Sequence, residues 1–306
     1  MTADKIYPPV HAGQTVSEAL VVILDHDLRH LLAWQDKAYD WNDIEGVHQV
    51  RVSFRRIRSA LGLLRSSLQR EVRHAWSARI KTLMEPTGPA RDLDVLLDEA
   101  LPAFEAEKSL PGSEAFRDLV QEKRAGAYAQ VRELLDSQSY KDFKREFAGW
   151  IDSQGWETGD QTGKRRKRLD KEVRGAAHKL LERQDERVLE LGKGADQDDP
   201  AAMHRLRIEC KKLRYATEFF YHLFDDMENF VEHMKGLQDV LGAMHDIALM
   251  GGMIDHLLEG RTEPGLRRYA DELVRWRTHE NETKKQAFGQ YWRNFTDAKR
   301  PWRHAH

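Results

Sequence analysis

The chain has 306 residues, 40% hydrophobic and 33% charged, and its 49 Lys and Arg against 51 Asp and Glu leave a formal net charge of -2. With a mean hydropathy of -0.71, this composition excludes a disordered polymer and a membrane-spanning chain and describes a globular one; at this length two lobes are expected rather than one core. A single cysteine, Cys210, excludes an intrachain disulfide and means that a cysteine-based metal site would have to borrow all its other ligands, and the near-neutral balance means that any polyanion site has to arise from the distribution of charge.

The first residues, MTADKIYPPV, lack the basic-then-apolar order of a signal peptide, and the longest apolar run, Ala19 to Leu24, is too short to cross a bilayer. A cytoplasmic location is expected. Hairpin signals are almost absent while apolar residues recur with a 3.6-residue period, so the fold class reads as all-α. After a tail at 1–14, Thr15 to Glu18 (TVSE) forms a capping box that opens a helix running to about Ala38. The period predicts further helices over 44–67, 70–85, 90–107, 113–137 and 139–151, closing a first half at 15–152. The stretch SQGWETGDQTG, 153–163, has no periodic face to bury and reads as a linker. A second half at 164–297 is predicted to hold helices over 164–192, 199–224, 227–243, 245–259 and 264–295; Asp199 before Pro200 marks one start. The basic tail 298–306 is expected to be loosely ordered and receives no role.

An internal repeat is the most informative feature. VHQVRVSFRRIRSALGLL (47–64) aligns without a gap to MHRLRIECKKLRYATEFF (203–220), placing His48 over His204, Arg51 over Arg207, Arg55 over Lys211, Arg56 over Lys212 and Arg58 over Arg214. A second pair follows, KTLMEPTGPARDLDVL (81–96) against KGLQDVLGAMHDIALM (235–250). The halves therefore read as duplicated helical bundles. At roughly 100° per residue, His48, Arg51, Arg55 and Arg58 share one stripe while Val50, Phe54, Ile57 and Leu61 share another. The second copy repeats this with His204, Arg207, Lys211 and Arg214 against Leu206, Cys210, Leu213 and Thr217.

No acidic residue interrupts 47–65. A solvated helix face ordinarily mixes signs, so a row of Arg alone is best rationalised by an anion held along it through forked guanidinium contacts; a salt-bridged interface is the competing reading. Two bundles related by a pseudo-twofold would join the two ridges into one track suited to a long, linear anion.

At these residues the sequence resembles the CHAD family, an α-helical domain named for its histidines. The His, Arg and Lys run matches in both copies, and GPARDLDV (88–95), LRYATEF (213–219) and LQDVLGAMHD (237–246) resemble the family's other signatures, over roughly 15–295. The resemblance implies two antiparallel helical bundles with internal pseudo-symmetry that bind inorganic polyphosphate, and association with polyphosphate granules. It implies no catalytic centre and no cofactor. The residues assigned to the polyphosphate track are His48, Arg51, Arg55, Arg56, Arg58, Lys81, His204, Arg207, Lys211, Lys212, Arg214 and Lys235. The family's frequent companion is a CYTH triphosphatase with Glu-x-Glu-x-Lys on its strands; FEAEKS at 104–109 lacks that spacing, so this reads as a stand-alone copy. Two departures stand out: Thr87 replaces the usual apolar residue before Gly88, and His245 stands where the first half has Arg91. The basic lining is expected to differ between the halves.

Other residues are weighed against plainer roles. KRRKR at 164–168 either extends the track or is a solvated helix start; Lys81 and Lys235 either reach the ridge or are ordinary surface lysines; His48 and His204 either donate to phosphate or pack. His26 and His30 have metal-ligand spacing but no third ligand, so no metal is expected. Cys210 reads as a core thiol, and Asp92 and Asp246 as helix caps or as braces for a ridge Arg. Two other functions compete with polyphosphate binding. A metal-assisted polyphosphate or triphosphate hydrolase would need a carboxylate cluster that Asp92, Asp94 and Asp246 do not supply by spacing, and a basic helix can also track nucleic acid.

Overall fold

In the computed structural model, residues 7–157 and 163–303 are described; residues 158–162 of the linker segment and the extreme ends of both tails lie outside them. The capping box forms as expected: the Thr15 hydroxyl accepts from the Glu18 amide while the Glu18 carboxylate accepts from the Thr15 amide, opening α1 (Val16–Tyr39). Asp43 caps α2 (Ile44–Leu63), and the short connection returns α2 along α1. That packing requires Gly46, where a Cβ would meet the Lys37 and Ala38 backbone at 2.2 to 2.3 Å.

There follow α3 (Arg70–Met84), α4 (Thr87–Val95), a single π-turn at Leu96–Ala100, α5 (Leu101–Glu107), α6 (Ser113–Asp136) and α7 (Gln138–Asp152). The second half contains α8 (Gly163–Leu169), α9 (Val173–Gly192), α10 (Pro200–Phe219), α11 (Met227–Leu257) and α12 (Pro264–Asp297). The class is all-α; the described residues contain no strand, only an isolated bridge between Thr15 and Glu172.

Three expectations change. The helix expected over 164–192 breaks at 170–172, because the backbone there pairs with the chain before α1: Val16 N–H donates to Lys171 O and Val173 N–H to Gln14 O. The two helices expected over 227–243 and 245–259 are one helix of 31 residues, α11; of its glycines Gly236 is closely packed, with Tyr291 lying 2.9 Å from where its Cβ would sit. The C-terminal segment is docked rather than loose through Arg303. Arg300 is buried against Asp185 and the carbonyls of Phe295, Thr296 and Ala298, and the fully buried Trp302 donates its indole N–H to Glu182.

α2 packs on α1, α3 and α4 in the first half, α10 packs on α9 and α11 in the second, and α2 and α10 meet each other. Their apolar stripes, read from the period, are buried: Phe54, Ile57 and Leu61 of α2 and Leu206, Cys210 and Leu213 of α10 are 0% exposed. Each such side chain contributes about 1.5–3 kcal/mol by leaving water, which fixes which face each central helix turns away from the core. Buried residues of both halves join one contiguous cluster. No helix among the described residues is long and apolar enough to cross a membrane.

Candidate functional site

With their apolar stripes locked into the core, α2 and α10 turn their basic stripes toward each other. Arg55 of α2 stands close enough to α10 that its charge disfavours the charged forms of both Arg207 and Lys211. Arg55, Arg58, Lys211 and Lys212 line a groove of about 1090 Å³ between α2, α3, α9 and α10. Its lining carries eight Arg and Lys against three Glu, so the local balance is strongly positive in a chain whose total is not.

The guanidinium Nε–H groups of Arg51, Arg55, Arg58 and Arg207 are buried and find no acceptor among the described residues. A buried donor without a partner costs about 1–3 kcal/mol, which an anion's oxygens would relieve. Burial, then Arg207 and Arg55, bring Lys211 down to about 7. Burial, then Arg91, bring His48 down to about 4. These are neighbourhoods in which positive charge is crowded and counter-charge scarce.

The supporting residues recur in both copies. Arg91 of α4 bears on His48, and at the matching position of α11 the His245 ring lies 4.8 Å from that of His204. Asp92 faces Arg51, and Asp246 approaches Arg207 at 3.7 Å. Both Asp residues lie within helices rather than at their starts, so they brace ridge arginines and are not caps. Thr87 is fully buried; its hydroxyl donates to Met84 O at 2.6 Å and accepts from Arg51 Nη1 at 3.0 Å, orienting that guanidinium.

Arg56 does not join the track. Its side chain is 8% exposed and committed to two carboxylates, Asp27 of α1 at 2.7 Å and Glu218 of α10. Held by two buried acids, this guanidinium ties the halves together and does not line the groove. Arg214 is braced by Glu218 at 3.1 Å and Lys212 by Glu209 at 2.7 Å. Lys81 and Lys235 are exposed and do not line the groove. Lys81 is one turn beyond the groove-lining Ser77 on α3, and Lys235 lies about three turns before Asp246 on the same stripe of α11.

The sequence reading missed Arg65, Arg73, Arg183 and Arg187, which line the groove from the end of α2 and from α3 and α9. Three of these stand on or near helices whose convergence no local pattern announces. Arg65 was findable, because it continues the α2 stripe after Arg58 by seven residues. In the KRRKR run, Arg166 pairs with Glu157 and Asp170, and Arg168 donates to Ser66 O at 3.0 Å.

Cys210 is a buried core thiol whose pKa is pushed up by burial. Both nitrogens of His30 are engaged, Nδ1 with Ser53 Oγ at 2.8 Å and Nε2 accepting from Trp34 at 3.2 Å. No group of three or more His, Cys, Asp or Glu among the described residues is placed to hold a metal.

A family model described as the CHAD domain matches residues 22–255. Among solved structures, the crystal structure of the CHAD domain from the plant Ricinus communis is similar to this chain with a TM-score of 0.81 at 23% identity, over 95% of each chain. PptA from Streptomyces chartreusis is similar with a TM-score of 0.68 at 16% identity, over 92% of this chain and 100% of the other. At those identities the two likenesses speak to the fold. No curated protein matches the sequence.

Proposed function

The chain belongs to the CHAD domain family, and from that premise we propose that its basic track binds inorganic polyphosphate without turning it over. One observation carries the reading: the unpartnered, buried Nε–H groups of Arg51, Arg55, Arg58 and Arg207, brought together from two helices. Such donors suit an acceptor-only ligand with many oxygens, and a linear anion can follow both ridges in succession. Arg51, Arg55 and Arg207 grip in forks, Lys211 and Lys212 follow as point charges, and His48 and His204 add hydrogen bonds from a ring N–H. Granule association follows from the same reading.

The groove favours this ligand over nucleic acid, since the one aromatic residue among those lining it, Tyr215, is 4% exposed and offers no face for a base. The test is calorimetric titration with polyphosphate at two salt concentrations, with phosphate release followed in the presence of Mg²⁺ and DNA as competitor. Salt-weakened binding that displaces DNA, without released phosphate, supports the proposal. Release dependent on Mg²⁺ would make the protein a hydrolase, and preferential retention of DNA would make it a nucleic-acid binder.

A further inference from the structure

The two ridges are not equivalent at their far ends. On α2 the stripe reads His48, Arg51, Arg55, Arg58, Gly62, Arg65; on α10 the same register reads His204, Arg207, Lys211, Arg214, Glu218, Tyr221. Gly62 thus stands where the second copy has Glu218. Glu218 is a buried acid that pairs with both Arg56 and Arg214, so it places a negative charge at the end of the second ridge. At Gly62 the position is open: a Cβ there would meet nothing within 4 Å, and Gly62 lines the groove. Beyond it Arg65 is exposed, lines the groove and makes no ion pair among the described residues.

The next residue, Ser66, carries the contact to α8, since its carbonyl accepts from Arg168 Nη1. The KRRKR run is therefore seated beside the Arg65 end of the groove, although about a hundred residues separate the two in sequence. Within that run Arg166 is neutralised by Glu157 and Asp170, while Lys164, Arg165 and Lys167 have no acidic partner among the described residues. The stripe from His48 to Arg65 spans about 25 Å at 1.5 Å per residue, and α8 touches the chain just past its end, at Ser66.

We infer that the track is one-sided: a polyphosphate chain longer than the stripe leaves the groove past Gly62 and Arg65 and is held by Lys164, Arg165 and Lys167, so these residues set a preference for long chains. The inference rests on the polyphosphate reading and names the segment that reads length. The contact is made by side chains of α8 and is independent of its backbone amides.

The test compares tripolyphosphate with a polyphosphate several times longer than the stripe, binding to the full chain and to Lys164→Gln/Arg165→Gln/Lys167→Gln. These residues are exposed or half-exposed, and circular dichroism checks that helicity is kept. The variant is expected to bind tripolyphosphate as the parent does and to lose affinity for the long chain. Its slope of log K against log salt should fall by about 2, from three charges at roughly 0.7 each. A second variant, Gly62→Glu, supplies the acid that closes the second ridge and is expected to weaken the long chain more than the short one. Equal losses for both lengths, or no loss for the long chain, overturn the inference while leaving polyphosphate binding intact. Failure of the parent to bind either length overturns both.

Discussion

Arg55 of α2 and Lys211 of α10 line the same groove, and the Lys211 ammonium, buried and crowded by Arg207 and Arg55, is brought down to about 7. Between about 7 and the ordinary 10.5 the unfolded chain holds this proton and the folded chain does not. Stability from this group therefore rises with pH across that window. A bound polyanion favours the ammonium, so binding at about pH 8 should take up on the order of one proton per protein. Calorimetry in buffers of different ionisation enthalpy measures this. Lys211→Arg is expected to keep the affinity and lose the uptake; uptake unchanged in that variant would place the proton elsewhere.

His48 behaves in the same sense at lower pH. Its folded value of about 4 lies below the ordinary 6.5, so as pH falls through that interval the unfolded chain gains a proton that the folded chain refuses. Stability should decline between about pH 6.5 and 4, and urea midpoints measured across it should show the decline flattened in His48→Gln. Equal pH dependence in both proteins would mean that His48 is not the group responsible.

Arg56 is expected to report on folding rather than on ligand. Arg56→Ala leaves Asp27 and Glu218 buried without their common partner, a change that costs about 3–5 kcal/mol. Denaturant unfolding should show that loss, whereas polyphosphate affinity under conditions where the variant is folded should change little. A stable variant with lost affinity would return Arg56 to the track.

The docked C-terminal segment makes a separate prediction. Burial raises the Asp185 carboxyl, and hydrogen bonds from Arg300 pull it back; Arg300→Leu removes the buried one of the two arginines paired with this fully buried acid, leaving Arg303 at 3.3 Å. Thermal unfolding should move down by an amount matching about 3 kcal/mol or more, with the ridge helices unaffected. An unchanged midpoint would mean that the segment adds nothing to stability.

Much of this architecture is legible in local sequence. The TVSE box, Asp199-Pro200 and the two amphipathic stripes each act through residues within four positions, and the structure forms all of them. Failures came where distant chain decides. The break at 170–172 is imposed by pairing with residues 14–16, and Arg56 looks like a ridge residue until Asp27 and Glu218 arrive from other helices. α11 runs unbroken through 244, where the period alone divides it, because it packs along α12 and α10. The groove's outer wall, Arg73 and Arg183 to Arg187, comes from helices with no shared pattern, and only folding places them beside Arg55 and Arg58.

The central claim is that the two converging ridges hold polyphosphate, and the most direct measurement is a titration of Arg51→Ala/Arg207→Ala beside the parent at equal salt. Each residue offers a charge-assisted contact of about 1.5–3 kcal/mol, so the account predicts a loss of about a hundredfold or more with helicity unchanged. Full affinity in the folded variant would contradict it.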